Sequence, residues 1–323
     1  MIVETRGLTK EYRRVVRSGL RRRTEPVRAL DGLDLRIEEG SAVGYIGANG
    51  AGKSTTIKML TGILVQTAGS VRTCGLNPVR QRKELARQVG VVFGQRSQLW
   101  WDLPLRESFE ILAAIHRLGR RESAARLEEL SQRLDLGETM AVPVRQLSLG
   151  QRMRAELAAA LLHSPALVIL DEPTIGLDVV SKQRLRDFLN AERADHGTTL
   201  LLATHDMGDV EKLCERVVVL DRGRQIFDGP LSELARLGGA ERVLVVDVVG
   251  TAGELRELPG ARLVGSEAGG MRQRFAFDPA ETTAAALLAA IQERAEVRDL
   301  TIEEPGIEDV VRRLWRSRGT ADQ

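Results

Sequence analysis

The 323-residue chain has little cysteine, few aromatics and no long apolar run, and each shortage closes off a class of protein. Its 2 cysteines, Cys74 and Cys214, lie far apart and form no Cys-x-x-Cys pair, so neither a disulfide framework nor a zinc site is expected. Both read as buried free thiols of a reducing compartment. No apolar stretch approaches the roughly 20 residues that a membrane-crossing helix needs. The start, Met1-Ile-Val-Glu-Thr-Arg, has no secretory-leader pattern. A role at a membrane therefore has to pass through a partner. The net charge of +2 gives no reason to expect a nucleic-acid binder. Aromatics make up 3% of the residues, which draws attention to Trp100 and Trp101, two of only 3 tryptophans. Internal repeats and low-complexity segments are absent.

The chain does have enough apolar content, 43%, and enough length for one large domain and a smaller one. Ile2–Thr5 and Leu33–Ile37 read as a strand pair. Between them Arg13–Arg23 is strongly basic, lacks an apolar period and reads as an exposed loop. Strands are then expected at Ala42–Ile46, Val89–Phe93, Leu167–Leu170 and Thr199–Ala203, the short apolar runs of a central parallel sheet. Helices are expected at Thr55–Leu64, Leu105–Arg117, Ser123–Leu134 and Gln151–Leu162, and a closing hairpin around Arg222-Gly223. This predicts an α/β domain over residues 1–237. After Gly238-Gly239 come strands at Val243–Val249, Arg262–Val264, Arg272–Phe277 and Val297–Ile302, with helices at Glu281–Ala295 and Ile307–Arg316. Residues 238–323 therefore read as a small α+β domain.

Residues 47–55, Gly-Ala-Asn-Gly-Ala-Gly-Lys-Ser-Thr, fit the phosphate-binding pattern Gly-x-x-x-x-Gly-Lys-[Ser/Thr]. Glycines let the backbone wrap a polyphosphate without Cβ clashes, and a helix starting near Lys53 aims its dipole at the same charge. Lys53 suits the β/γ-phosphates and the Ser54 hydroxyl suits Mg²⁺. Leu167–Pro173 reads Leu-Val-Ile-Leu-Asp-Glu-Pro. Asp171 and Glu172 emerge at the strand end where open α/β sheets bind ligands. Asp171 suits the Mg²⁺ shell, and Glu172 suits polarising an attacking water. Ser148, before an Ala-rich helix, is at least an N-cap; with Gly150 it makes a second candidate anion site.

These residues resemble the ATPase subunits of ABC transporters over Met1 to about Leu237. The motifs follow that family's order. Tyr12 stands where an aromatic stacks on adenine. Gly47–Thr55, with Asn49, Gly50, Gly52 and Thr55, is the Walker A loop. Gln95 stands at the Q-loop position, where the family also contacts Mg²⁺. Ser148, Gly150 and Gln151 carry the signature, Leu167–Glu172 is Walker B, Gly176-Leu177-Asp178 is the D-loop, and His205 is the switch histidine. The sequence departs from the pattern in places. Leu149 replaces the first signature glycine, Ile175-Gly176 stands where Ser-Ala is commoner, Gly94 is one extra residue before the Q-loop, and the basic insert is long. With the trailing α+β domain, these features resemble the type-2 exporter and drug-resistance group.

The resemblance implies a cytoplasmic ATPase, peripheral on the inner face of the membrane. It uses ATP and Mg²⁺ and pairs as a homodimer or with a similar ATPase. It powers export through a separate permease and has no nucleic-acid partner. Glu172, His205 and Gln95 are the expected catalytic group. Asp178 also reads as a helix cap, and His116, His163 and His196 as packing, surface or cap-adjacent residues. Trp100 or Trp101 is expected to anchor the permease, the other packing inward. A single-cassette ATPase acting on ribosomes or nucleic acid and an import ATPase are the rival readings. The first is disfavoured by the lone cassette and the lack of a coiled-coil or zinc insert. A small-molecule sensor role for the C-terminal domain has no ligand motif behind it.

Overall fold

The computed structural model describes residues 1–18, 21–94, 97–237, 242–250, 253–303 and 310–311. Two compact units divide between Gly229 and Pro230. In chain order the first runs β1 (Val3–Ser18), β2 (Arg21–Leu33), β3 (Arg36–Ile37), β4 (Ala42–Gly47), α1 (Lys53–Leu60), β5 (Ala68–Thr73), α2 (Arg82–Leu85), β6 (Val89–Phe93), α3 (Leu105–His116), α4 (Arg120–Arg133), α5 (Leu149–Leu161), β7 (Leu167–Asp171), α6 (Val179–His196), β8 (Thr199–Thr204), α7 (Met207–Leu213), β9 (Arg216–Asp221) and β10 (Arg224–Pro230).

The central sheet has the order β10-β9-β4-β8-β7-β6, and its β9-β4-β8-β7-β6 pairings are parallel. Every residue of β4 and β8 is buried. Covered on both faces, these strands read as unbroken apolar runs instead of alternating ones. Polar side chains can leave such a sheet only at the strand ends, and the parallel pairing puts the ends of β4, β6, β7 and β8 on one edge. Helix α5 comes so close to β6 that a methyl on Gly90 would lie 2.2 Å from the Ala160 carbonyl oxygen.

A second sheet pairs β1 antiparallel with β2, β3 and β5. It corrects one expectation. Arg13–Arg23 is not a loop over its described length, because β1 and β2 stay in register from Arg13 opposite Pro26 out to Ser18 opposite Arg21. A two-stranded ribbon is held by backbone hydrogen bonds and needs no apolar period. Val15, Val16 and Thr24 favour the extended backbone. The side chains of Tyr12, Arg13, Arg14 and residues 25–28 are exposed.

Helices α4 and α6 meet through a buried ion network. Arg126 and Glu192, 8% and 1% exposed, pair directly. Arg133 Nη1 adds a contact to Glu192 Oε2 at 3.4 Å, and His196 Nδ1 lies 3.4 Å from the same carboxylate. Glu129, Glu192 and His196 stand close enough together to suggest a metal site. The two arginines already satisfy the carboxylates there, so the cluster is an ion-pair network.

The second unit holds α8 (Leu231–Leu237), β11 (Arg242–Val248), β12 (Ala261–Glu267), β13 (Arg272–Phe277), α9 (Ala284–Gln292) and β14 (Val297–Glu303). Its antiparallel sheet has the order β12-β13-β11-β14, over a core that includes Leu244, Val246, Phe275, Phe277, Leu287 and Ile291. The helix expected over Ile307–Arg316 lies outside the described residues except at 310–311.

Removing one partner of a buried pair strands the other charge. Arg126→Ala should therefore destabilise the first unit by about 3 kcal/mol. Arg126→Ala combined with Glu192→Gln should recover part of that loss. Chemical denaturation of the single and double variants measures both.

Candidate functional site

Strand β4 ends at Gly47 and enters a loop in which Gly47 and Gly52 leave no room for a side chain. A methyl on Gly47 would lie 2.8 Å from Ala51 Cβ. Gly52 has φ 109° and faces the Ala29 carbonyl oxygen, which a methyl would approach to 2.7 Å. Asn49 and Gly50 are exposed at the tip. Helix α1 begins at Lys53 with no side-chain cap, so its first N–H groups have no side-chain acceptor. Lys53 is buried, and its Nζ donates to the Gly47 carbonyl at 2.5 Å. Burial holds its pKa below the usual lysine value, while the charges of Glu172 and Asp171 pull the other way. Ser54 is exposed and Thr55 half-buried on the first turn. This cradle, with backbone donors, a buried ammonium and no room for Cβ atoms, fits a polyphosphate.

Asp171 closes β7, and Ser54 Oγ donates to its Oδ2 at 3.2 Å. Two hard oxygens from different elements thus converge, the donor type that Mg²⁺ takes. Burial raises the Asp171 pKa and the neighbouring Glu172 charge adds to that; Ser54 and Lys53 oppose it. Glu172 has φ 55°, the left-handed region that costs a non-glycine residue on the order of 1–3 kcal/mol. That turn keeps its N–H on the Ala203 carbonyl at 2.8 Å. Its carboxylate accepts from Thr204 Oγ1 at 3.2 Å and lies 2.8 Å from His205 Nδ1. Behind it, Thr174 donates to the fully buried Asp209, which Arg186 grips at 2.8 and 2.5 Å. Gly94 donates its N–H to the Asp171 carbonyl at 2.9 Å. Gln95 lies outside the described residues.

A second constellation sits at the start of α5. Ser148 Oγ accepts from the Gln151 N–H at 3.2 Å, and the Ser148 N–H donates to Gln151 Oε1 at 2.9 Å, a reciprocal capping box. A methyl on Gly150 would meet Ser181 Oγ at 3.7 Å and Leu177 Cδ2 at 3.9 Å, so this turn lies against the start of α6. Asp178 caps α6, accepting from Ser181 N at 2.8 Å and Oγ at 2.7 Å, and these bonds lower its pKa. Among the described residues no hydrogen bond joins Ser148–Gln151 to Gly47–Thr55. Tyr12 is exposed on β1 opposite Val27, with Lys10 Nζ 5.4 Å from its ring centre.

No sequence motif marks Thr204, Asp209, Arg186 or Glu156. Glu156 has a visible signal, a lone acid in the apolar run Ala155–Leu161, and it is 5% exposed. Ser97 Oγ and the Gln98 N–H donate to its carboxylate, the latter at 3.1 Å. Burial raises its pKa despite those bonds. Trp100 is half-buried, its N–H on Ser108 Oγ at 3.1 Å. Trp101 is 50% exposed, with the Arg152 guanidinium 5.5 Å from its ring centre. Residues 97–101 are thereby fastened to α5. His116 and His163 stack at 3.9 Å, and burial lowers both, His163 to about 4, so they pack as neutral rings.

A raised carboxylate pKa means that the ionised form destabilises the fold above that pKa and does so no longer at pH below the ordinary aspartate range. Asp171→Asn keeps the acceptor for Ser54 and removes the charge. The variant should melt higher than wild type at pH 7 without ligand. The gap should close as pH falls into the ordinary aspartate range, in paired thermal melts.

The family described as ABC transporter matches residues 30–175. The chain is 38% identical over 228 residues to the daunorubicin resistance ATP-binding protein DrrA3 of Streptomyces coeruleorubidus, covering 71% of this chain and 72% of that one. It is 32% identical over 297 residues to DrrA2 of the same organism, covering 89% and 90%. A dimeric, post-hydrolysis ATP-binding cassette bound to ADP and Pi superposes with a TM-score of 0.61 at 27% identity, covering 71% of this chain and 99% of that one. The cradle at Gly47–Thr55, the carboxylates at the end of β7 and these likenesses agree: the chain belongs to the ATP-binding proteins of ABC transporters and is an ATPase of that family.

Proposed function

We propose that this ATPase works in pairs, with residues 1–237 as its ATP-binding domain and residues 238–323 as an accessory domain, and powers export through a separate permease. The carrying observation is that, among the described residues, no hydrogen bond joins the chain's two candidate anion sites. Gly47–Thr55 with Asp171 and Glu172 is one, and Ser148–Gln151 is the other. A second copy, or a similar ATPase, supplies the missing half of each site. Leu149, Ile175, Val179 and Val180, at 38%, 48%, 82% and 62% exposure, flank the second constellation and suit burial in such a pair. The export reading draws on the drug-resistance relatives, and the pairing on the dimeric cassette.

Gly47, Asn49, Gly50, Gly52, Lys53 and Thr55 bind the phosphates, and Tyr12 takes the base. Ser54, Asp171 and Gln95 would hold Mg²⁺, and the ion, when bound, would neutralise charge on the phosphate oxygens. Glu172 orients the attacking water, held in place by Thr204 and by His205, which also faces the γ-phosphate. Ser148, Gly150 and Gln151 reach the nucleotide of the opposite subunit, and Asp178 sets the adjoining turn. ATP favours the closed pair over the open one, and that difference in affinity is the work passed to the permease. Among the described residues no helix is long and apolar enough to cross a membrane. By analogy with the drug-resistance relatives, the proposed location is the cytoplasmic face, through the permease, with the exposed Trp101 as a contact.

Glu172→Gln should keep nucleotide binding and lower turnover by about 10²–10⁴-fold. With ATP it should elute as a dimer in size-exclusion chromatography; wild-type turnover would remove Glu172 from the mechanism. Trp101→Ala should weaken permease binding by roughly 2 kcal/mol while leaving the isolated subunit's ATPase intact. Pull-down alongside a basal ATPase assay reads both effects.

A further inference from the structure

Two departures from the family pattern, Leu149 and Gly176, are 27 positions apart in sequence and touch in the structure. Gly176 has φ +73°, and a methyl placed on it would lie 2.6 Å from Leu149 Cδ2 and 4.0 Å from Leu149 Cγ. The isobutyl group therefore rests on bare backbone. A large side chain stands where the family has none, and it faces a residue with no side chain where the family commonly has a methyl. Leu149 is the first residue of α5, next to the Ser148 cap. Gly176 lies two residues before Asp178, the cap of α6. Beside this contact, Leu177 and Ser181 face Gly150.

We infer that Leu149 is a positioning residue whose seat on Gly176 locks the Ser148–Gln151 turn to the Ile175–Asp178 turn, so that the two move together when the paired site closes. The inference rests on the reading of both turns as parts of one nucleotide half-site. Three features separate this role from ordinary packing. Leu149 is 38% exposed, so truncating it opens no enclosed cavity. The seat joins two helix starts, each already fixed by its own capping bonds, so neither helix needs it to form. The cradle for ATP at Gly47–Thr55 belongs to other elements, so affinity for nucleotide does not depend on it. A methyl on Gly176 need not unfold anything, because Leu149 can swing into solvent; doing so breaks the seat.

The test uses the purified full chain. Leu149→Ala should lower kcat about ten-fold, with affinity for a non-hydrolysable ATP analogue within about two-fold of wild type and little change in melting temperature. Leu149→Met, which still reaches Gly176, should retain near-wild-type kcat. Gly176→Ala should lower kcat about ten-fold in wild type but less than about three-fold further in the Leu149→Ala background, because the seat can be lost only once. Wild-type kcat in Leu149→Ala overturns the inference. An equal cost of Gly176→Ala in both backgrounds also overturns it, since backbone strain at Gly176 then explains the effect alone. Loss of fold or of nucleotide affinity in Leu149→Ala makes the residue structural and overturns it too. Ser148→Arg separates the two levels. Normal ATP-dependent pairing and turnover there defeats the half-site reading and the inference with it, whereas loss of both alongside a normal Leu149→Ala defeats only the inference.

Discussion

The site hangs on the last rung of one strand ladder. In the β7–β8 pairing Asp171 stands opposite Ala203, and the next N–H, of Glu172, bonds the Ala203 carbonyl at 2.8 Å. That register puts Thr204 and His205 beside the Glu172 carboxylate and puts Asp171 beside Ser54. A slip of one residue would turn every side chain of β7 to the opposite face. The buried runs Leu167–Leu170 and Thr199–Ala203 give the two strands their stability, and the left-handed turn at Glu172 draws on it.

The same edge concentrates charge where water is scarce. The charge of Glu172 acts on both Lys53 and Asp171, and burial disfavours the ionised forms of those two. Lys53 has carbonyl acceptors at Gly47 and Ala48, and Asp171 has the Ser54 hydroxyl. These groups are held by neighbours weaker than a triphosphate or a divalent cation, so binding those species relieves a tension already present in the fold. Affinity for phosphate is thus partly set by how poorly the protein satisfies its own site.

Much of this was legible in the residues, and the misses have physical causes. Parallel strands announced themselves because burial on both faces removes polar residues from them. Glycine spacing marked the phosphate loop because a Cβ has no room there. The pairing of residues 13–18 with 21–26 was hidden because backbone hydrogen bonds require no apolar period. Helix α6 shows only a thin apolar stripe, with Leu185, Phe188 and Leu189 buried along 18 residues, and is marked mainly by its caps at Asp178 and Gly197. Which distant segments meet leaves no local pattern: the lone acid Glu156 stands out in its apolar run, but nothing near it names Ser97 as its partner, and nothing near Leu149 names Gly176. The break between the compact units falls at Gly229 and Pro230, whereas composition shifts at Gly238-Gly239, because α8 belongs to the second unit.

Helix α5 has a further consequence as a mechanical part. Ser148, Arg152 and Glu156 recur every four residues, so they form one row along the helix. The row runs from the turn at Ser148, past the guanidinium over Trp101, to the carboxylate that ties down residues 97 and 98. Eight residues of α-helix span about 12 Å. Gly150 is the one glycine of α5, and from Gln151 to Leu161 neither glycine nor proline interrupts the helix. A push on the loop carrying Trp101 would therefore meet a helix without glycine or proline as far as Gln151, with Gly150 as the joint next to Ser148. This gives α5 the character of a connecting rod, whose stiffness sets how promptly one end answers the other.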